Sequence, residues 1–158
     1  MLMQFIVHTD GGARGNPGPA AVGVVIERQQ RTRDNKQETI ILCEFGKRIG
    51  ETTNNVAEYT AVIEALTEVK RQKEKVKSEY AGQMEIQFFL DSKLVVEQLN
   101  GNFKVKDAKL RELMMQVKIL EQECRGEVTY AYVPREENSR ADYFVNKALD
   151  EQSNNTTK

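Results

Sequence analysis

The spacing of apolar residues changes once along the chain, near residue 53, and this change limits the folds that the chain can adopt. Before it, three segments with alternating apolar residues are predicted strands: 4–10, 21–28 and 38–48. After it, apolar residues repeat at helical spacing between Val62 and Val69, and two apolar runs separate helical segments: 84–91 and 127–133. An antiparallel meander followed by alternating helices and strands predicts an α/β fold, with a mixed sheet covered by helices.

The predicted helices and loops complete this outline. The first helix begins near Asn54 or Asn55, where Thr and Asn residues supply an N-cap signal, and the later helices cover 92–101, 108–123 and 139–150. The polar segment 29–37 predicts a protruding hairpin tip. The charged run 70–80 indicates a solvated helix end, with a nucleic-acid contact as the alternative. We expect a single domain over residues 1–150 and a flexible tail over residues 151–158.

Composition excludes several classes of protein. The 158 residues are 39% hydrophobic and 30% charged with a net charge of -1, which fits one ordinary globular domain without an overall basic surface. No apolar run reaches the roughly 18–20 residues of a membrane span, and no signal-peptide pattern opens the chain, so a cytoplasmic location is expected. Cys43 and Cys124 are isolated and predict no disulfide or metal site. No coiled-coil seam is visible, so the expected state is a monomer.

Four carboxylates occupy positions that require an explanation. Asp10 and Asp91 each end a predicted strand, and Asp142 lies in the first turn of the last helix. Ordinary explanations exist for all three, as a turn former, a helix N-cap and a charge favoured by the helix dipole. Glu58 precedes Val62 by four residues and therefore shares the apolar stripe that faces the sheet. An unpaired acid on such a stripe is costly unless its charge is compensated.

One arrangement explains all four acids together. Carboxylates at two strand ends and on two inward helix faces can converge at one end of the sheet, where divalent cations would neutralise them. Hard oxygen ligands suit Mg²⁺ or Mn²⁺. The sequence lacks the thiol or paired-histidine set of a zinc site and the Gly-x-x-x-x-Gly-Lys loop of a nucleotide triphosphate pocket. The pattern therefore favours metal-assisted phosphoryl chemistry.

Four segments in this order give the chain a family resemblance: "TDGGARGNPGP", "TTNNVAEYTAVIEAL", "LDSKLVVEQLNG" and "NSRADYFVNKAL". They resemble the motifs of type 1 ribonuclease H, the ribonuclease HI family, and the match covers nearly the whole chain. Each segment alone is a moderate signal, whereas the ordered set with its four carboxylates is specific. The resemblance implies the ribonuclease H fold, in which a five-stranded mixed sheet is flanked by helices.

The resemblance also implies an activity, namely metal-dependent endonucleolytic hydrolysis of the RNA strand of RNA/DNA hybrids. It assigns two Mg²⁺ ions, with Mn²⁺ as the alternative ion, to four residues: Asp10, Glu58, Asp91 and Asp142. The ions would lie roughly 3.5–4 Å apart, with Asp10 as the bridging ligand. One ion would activate water and the other would stabilise the leaving 3′ oxygen. The expected products carry a 5′-phosphate and a 3′-hydroxyl, without a covalent enzyme intermediate.

Substrate contacts are carried over from the same resemblance. The residues expected to contact the RNA strand are Gly12, Ala13 and Asn16. The glycines of this segment let backbone amides and Asn16 approach a sugar-phosphate strand. The "TTNN" motif supplies contacts to the DNA strand: Thr53, Asn54 and Asn55. Helix capping is the other explanation for these three residues, and the two roles are compatible. Asn138 is expected to orient water. Recognition of 2′-hydroxyls and backbone shape predicts largely sequence-independent cleavage, and double-stranded RNA is left open as a second substrate.

The chain departs from the family pattern in three places. The loop "VPREENSRAD" lacks the histidine that many members carry, and the only histidine, His8, is predicted to pack within the first strand. Two alternatives follow for the loop: partial substitution by Arg135, Glu136 or Glu137, or slower turnover. Glu51 stands where relatives often offer a basic residue to a DNA phosphate. Some bacterial members insert a Trp- and Lys-rich segment, the basic handle, between two helices. Here that region contains only "GNFKVKDAKLREL", which is either a smaller hybrid contact or a plain helix start.

Other functions fit the sequence less well. A noncatalytic hybrid-binding or scaffold domain would retain the fold, but the presence of all four acids argues against it. A proofreading exonuclease would usually carry Asp-x-Glu on the first strand, whereas Asp10 is followed by Gly11 and Gly12. Neither that enzyme nor a junction resolvase accounts for "GNPGP" together with "TTNN". A reverse-transcriptase fragment is the remaining alternative, and we expect a free-standing domain instead.

Overall fold

The computed structural model describes residues 3–76 and 84–156, with side chains described as far as residue 151. This part of the chain contains five strands, four α-helices and one 3-10 helix. The strands are β1 (Met3–Ala13), β2 (Gly18–Arg31), β3 (Gln37–Thr52), β4 (Met84–Leu90) and β5 (Glu127–Tyr132). The α-helices are α1 (Asn54–Val76), α2 (Lys93–Leu99), α3 (Ala108–Cys124) and α4 (Ser139–Thr156), and the 3-10 helix covers Arg135–Asn138.

The strands form one sheet in the order β3-β2-β1-β4-β5. β1 pairs with β2, and β2 with β3, in antiparallel register, which confirms the predicted meander. β1 pairs with β4, and β4 with β5, in parallel register, so the sheet is mixed as predicted. His8 lies opposite Phe89 in the parallel β1–β4 pair. Asp10 and Asp91, each two residues further on, are therefore neighbours just beyond the end of the β1–β4 pairing.

The first two strands are longer than the apolar pattern predicts. The prediction that the first strand ends at Asp10 is wrong, because Gly11, Gly12 and Ala13 continue the ladder with β2 and only residues 14–17 form the connection. A Cβ atom on Gly11 would lie 2.2 Å from the backbone carbonyl of Ala57 in α1. Close approach of the helix backbone thus accounts for this glycine, and the sequence alone carries no signal of it.

Strand β3 lies at the edge of the sheet and is irregular. Its pairing with β2 shifts register at two bulges, which leave Leu42 and Ile49 without a ladder partner. The tip of the β2–β3 hairpin covers residues 32–36 and is mostly exposed. The predicted tip, residues 29–37, is too long, because 29–31 belong to β2 and 37 to β3. The first part of the charged run 70–80 continues α1, and its remainder lies outside the described residues.

Helices cover both faces of the sheet. Successive side chains of a strand point to opposite faces. A Cβ on Gly11 would meet α1, whereas a Cβ on Gly12 would lie 3.6 Å from Val145 of α4, so the two helices lie on opposite faces. The larger core packs α1, α2 and α3 against the sheet, and a smaller cluster around Ala21 packs beneath α4.

Local signals fix where most helices begin and end. Thr53, Ser92 and Asp107 accept hydrogen bonds from the first turns of α1, α2 and α3. Helix α3 ends at Cys124 and is followed by the C-cap residue Arg125, which has a left-handed backbone conformation with φ of 52°. Helix α4 continues to Thr156 instead of ending at Asp150, so residues 151–156 are helical; flexibility of the tail stays a prediction.

Three smaller expectations concern individual residues. His8 is half-buried and stacks on Phe89 with ring centroids 5.1 Å apart, which agrees with a packed strand histidine. Burial lowers the pKa of His8 from its ordinary value. Cys43 and Cys124 are both free thiols. Within residues 3–76 and 84–156, no helix is long and apolar enough to cross a membrane.

Candidate active site

Three carboxylates from distant parts of the chain meet at the carboxyl ends of the central strands. Asp10 is on β1, Glu58 is in the second turn of α1, and Asp91 directly follows β4. One carboxylate oxygen from each lies within 4.8 Å of the other two. The predicted convergence is therefore observed for these three residues, which we call the acidic cluster.

The acidic cluster is largely buried, and the pKa values of two of its residues, Asp10 and Glu58, are raised. Asp10 and Glu58 are each only 7% exposed. Burial, and after it the charge of Asp91, raises the pKa of Asp10 from 3.8 to about 8. Burial and the neighbouring Asp10 raise the pKa of Glu58 well above its ordinary value. Without a cation, the cluster therefore retains protons near neutral pH.

The donor set fits a divalent cation. The Oε2 atom of Glu58 is buried and has no hydrogen-bond partner, and such an atom costs free energy unless it is compensated. Several carboxylate oxygens at close range are ligands of the kind that Mg²⁺ and Mn²⁺ prefer. A bound ion would both satisfy the buried oxygen of Glu58 and remove the repulsion between the acids.

The fourth predicted carboxylate, Asp142, stands beside the acidic cluster and outside its closest group. It lies in the first turn of α4 and is half-buried. Its carboxylate is within hydrogen-bonding reach of Asp10 and contributes to the raised pKa of Asp10. Asn146, one helical turn later, donates to the Oδ2 atom of Asp142 at 3.3 Å. The structure thus groups three of the four acids and places the fourth next to Asp10.

Asn138 holds Asp91 in place. Its side chain is 1% exposed, and its Nδ2 atom donates to Asp91 Oδ2 at 3.1 Å and to the backbone oxygen of Thr9 at 2.9 Å. Both donated bonds point to the strand ends that carry the acidic cluster, so Asn138 orients a carboxylate of the site. Its predicted contact with water stays a prediction.

The residues predicted to contact the two nucleic-acid strands form one connected rim. The backbone amide of Ala13 donates to Asn54 Oδ1 at 2.9 Å, and the backbone amide of Asn54 donates to Asn16 Oδ1 at 3.0 Å. Thr53 accepts a bond from the amide of Val56 and so caps α1, as its alternative explanation predicted. These bonds join the β1–β2 connection to the start of α1, next to the acidic cluster.

The remaining predicted contacts lie on the same side of the molecule. Gly12 is partly exposed on β1 two residues after Asp10, and Asn55 is partly exposed in the first turn of α1. Their contacts with nucleic acid stay predictions. In the loop that lacks a histidine, the stretch from Arg135 to Glu137 is exposed, and Phe103 in the region without a handle is 51% exposed.

Sequence reasoning missed a group of polar residues around α4. Arg14 donates to Asp150 Oδ1 at 2.7 Å and to Asn146 Oδ1 at 3.4 Å, and Asn146 in turn contacts Asp142. The spacing of four residues between Asp142 and Asn146 was a usable signal, because such residues are neighbours on a helix surface. Nothing local in the sequence connects Arg14 to α4.

The fold and site together define a class of protein. A five-stranded mixed sheet with helices on both faces, and acids gathered at the carboxyl ends of β1 and β4, is the arrangement of a ribonuclease H-like domain. A family model described as reverse transcriptase-like matches residues 8–148. The chain belongs to this family, and within it to type 1 ribonuclease H.

Individual relatives agree with this assignment. Bifunctional protein Rv2228c of Mycobacterium tuberculosis is 38% identical over 148 residues, which are 94% of this chain and 36% of that protein. Ribonuclease HI of Halobacterium salinarum is 37% identical over 146 residues, which are 91% of this chain and 63% of that protein. The chain therefore spans about a third of the mycobacterial protein and less than two thirds of the halobacterial one.

A solved structure is similar over nearly the whole chain. LC11-RNase H1 in complex with an RNA/DNA hybrid has a TM-score of 0.78 and 40% sequence identity, and the match covers 94% of this chain and 98% of that chain. This likeness confirms the predicted ribonuclease H fold.

Proposed function

We propose that the chain is a metal-dependent endonuclease that hydrolyses the RNA strand of RNA/DNA hybrids. The acidic cluster is the observation that supports this most strongly, because it gathers carboxylate oxygens within 4.8 Å in a buried site with raised pKa values. Family membership and the solved hybrid complex of LC11-RNase H1 supply the substrate class. A noncatalytic domain would have no need to maintain so unfavourable a group of acids.

The chain's own residues have distinct parts in this proposal. The acidic cluster and Asp142 would hold two divalent cations, Mg²⁺ or Mn²⁺, and Asp10 interacts electrostatically with both Asp91 and Asp142. When bound, the ions supply an activated water and stabilise the charge on the leaving 3′ oxygen. Glu58 closes the site from the α1 side, and Asn138 keeps Asp91 oriented toward it. If water attacks phosphorus directly and the P–O3′ bond breaks, the 3′ oxygen leaves and takes up a proton, so the products would carry a 5′-phosphate and a 3′-hydroxyl.

Substrate selection would take place on the rim beside the acidic cluster. Gly12, Ala13 and Asn16 would face the RNA strand, while Thr53, Asn54 and Asn55 would face the DNA strand. Because Asn54 is bonded to both Ala13 and Asn16, the two halves of the rim are held at a fixed separation. A fixed separation favours a duplex of one width, and 2′-hydroxyl contacts distinguish RNA from DNA. A cytoplasmic location and a monomeric state remain predictions.

Cleavage of an end-labelled RNA/DNA hybrid tests the proposal. Single-stranded RNA, double-stranded RNA and duplex DNA are assayed in parallel, with Mg²⁺, Mn²⁺ or EDTA. Asp10→Asn is the inactive variant, and Asp34→Asn in the exposed hairpin tip is its matched control. We expect internal cuts confined to the RNA strand of the hybrid for the wild type and Asp34→Asn. Asp10→Asn or EDTA should abolish them, and ligation of the products should confirm 5′-phosphate ends.

The competing function has a distinct outcome in the same experiment. If the wild type binds the hybrid but cuts none of the four substrates in either metal, the chain is a noncatalytic hybrid-binding domain and the proposal fails. Cleavage of double-stranded RNA beside the hybrid would widen the substrate class and leave the reaction unchanged.

A further inference from the structure

Asn146 contacts Asp142 through two hydrogen bonds from the same amide group. Its Nδ2 atom donates to the backbone oxygen of Asp142 at 3.1 Å and to the carboxylate Oδ2 at 3.3 Å. The first bond ties the amide to the helix, and the second fixes one oxygen of the carboxylate. An aspartate side chain in a partly exposed first turn otherwise rotates among several rotamers. Asn146 therefore favours one orientation of the Asp142 side chain.

Arg14 determines which end of the Asn146 amide faces Asp142. The guanidinium of Arg14 donates to Asn146 Oδ1 at 3.4 Å and is held by Asp150 at 2.7 Å. A guanidinium has only hydrogen-bond donors, so it must face the oxygen of the Asn146 amide. The NH₂ group of that amide then points to Asp142. The backbone amide of Arg14 is itself bonded to the oxygen of Pro19, which fixes the base of the side chain.

We propose that Asn146 is a positioning residue for Asp142, and that Arg14 sets the orientation of Asn146. Asp142 is the carboxylate that stands outside the closest group of acids, so it gains most from being held. A hydrogen bond that fixes one oxygen of a carboxylate leaves the other oxygen free to bind an ion. Arg14 directly follows Ala13, which lies on the rim. The bonds from Arg14 to Asn146 and from Asn146 to Asp142 therefore join the rim to Asp142. This inference rests on the proposed function, because Asp142 requires positioning only if it is a metal ligand.

Metal titration of Asn146→Leu tests the inference. Leucine has a similar size but no donor, and Lys147→Leu, at the next and exposed position of α4, is the matched control. We expect the Mg²⁺ concentration for half-maximal hybrid cleavage to rise about tenfold in Asn146→Leu, the usual size of such an effect. At saturating Mg²⁺ the KM for the hybrid should stay within about twofold of the wild type, since the rim is intact. Arg14→Met should shift the Mg²⁺ requirement in the same direction by a smaller factor.

A double-mutant comparison separates positioning from general stability. Mn²⁺ binding to the substrate-free protein is measured by calorimetry for Asn146→Leu, Asp142→Ala and the combination. If Asn146 acts through Asp142, the combination binds Mn²⁺ as Asp142→Ala does, with no additional loss. Thermal unfolding of each variant in EDTA establishes that the proteins are folded.

The outcomes distinguish the inference from the proposed function. An unchanged Mg²⁺ requirement in both Asn146→Leu and Arg14→Met, with an active wild type, would overturn the inference. An additional loss of Mn²⁺ affinity in the double variant would overturn it as well. If the wild type neither binds Mn²⁺ nor cleaves the hybrid, the proposed function fails instead.

Discussion

Replacing Asp10 with asparagine should make the metal-free protein more stable, although it should abolish cleavage. The reason is the position of Asp10, which is buried beside Asp91 and Asp142 and whose pKa is raised from 3.8 to about 8. Between these two pH values the unfolded chain carries an ionised Asp10, whereas the folded protein must bind a proton to keep it neutral. Folding is therefore opposed by the free energy of taking up that proton.

The size of the effect follows from the pKa shift. Each pH unit above 3.8 costs the folded protein about 1.4 kcal/mol, until the pH reaches about 8 and folded Asp10 ionises as well. The cost is thus about 2 kcal/mol at pH 5 and about 4 kcal/mol at pH 7. Asparagine has nearly the same shape and takes up no proton. The stability gained by Asp10→Asn should rise with pH across this range and level off above pH 8.

Urea unfolding in EDTA at pH 5, 6, 7, 8 and 9 measures the gain, with Asp34→Asn as the control for the same chemical change at an exposed position. The control should differ from the wild type by less than about 0.5 kcal/mol at every pH. Added Mg²⁺ should stabilise the wild type and narrow the difference from Asp10→Asn. A gain that is absent, or that does not change between pH 5 and pH 8, would refute the assigned electrostatic cost.

Three further results are expected. Gly11→Ala should destabilise the fold by about 3 kcal/mol in urea unfolding, because its Cβ would lie 2.2 Å from the backbone of Ala57; Gly12→Ala, with its nearest atom at 3.6 Å, should cost less than about 1 kcal/mol. Equal effects would contradict the packing described. Tyr59→Phe should lower thermal stability by about 1–3 kcal/mol, because Gln98 loses its buried 2.7 Å bond from the tyrosine hydroxyl. An unchanged melting temperature would show that Gln98 finds another partner. Mg²⁺ binding at pH 7 should release protons from the acidic cluster, and calorimetry in buffers of different ionisation enthalpy should find less release at pH 9.

The sequence predicted those parts of the site that depend on regular secondary structure. Asp10 and Asp91 could be placed together because parallel strands bring their carboxyl ends to the same edge of a sheet. Glu58 could be identified because its helical spacing from Val62 puts an acid on an apolar stripe. Order along the chain and periodicity are local properties, and a single sequence records them directly.

Other features depend on contacts between distant segments, and the sequence does not record these. The strand assignment stopped at Asp10 because a Gly-Gly pair normally signals a turn, whereas here Gly11 gives room to the backbone of α1. The attachment of Asn138 to Asp91 depends on where the 3-10 helix is packed. The bond from Arg14 to Asn146 joins residues 132 positions apart. Such pairs become visible only once the sheet and α4 are assembled.

The irregular outer strand has a consequence for solubility. β3 runs for 16 residues at the edge of the sheet, and a long flat edge is a template on which another molecule can add a strand and begin to aggregate. The bulges at Leu42 and Ile49 twist this edge, and charged residues such as Glu44 and Lys47 lie between them. An incoming strand would meet interrupted hydrogen bonding and charged side chains that are already engaged, since Glu44 pairs with Arg140 and Lys47 pairs with Glu64. The same irregularities that break the ladder therefore protect the folded protein from edge-to-edge aggregation.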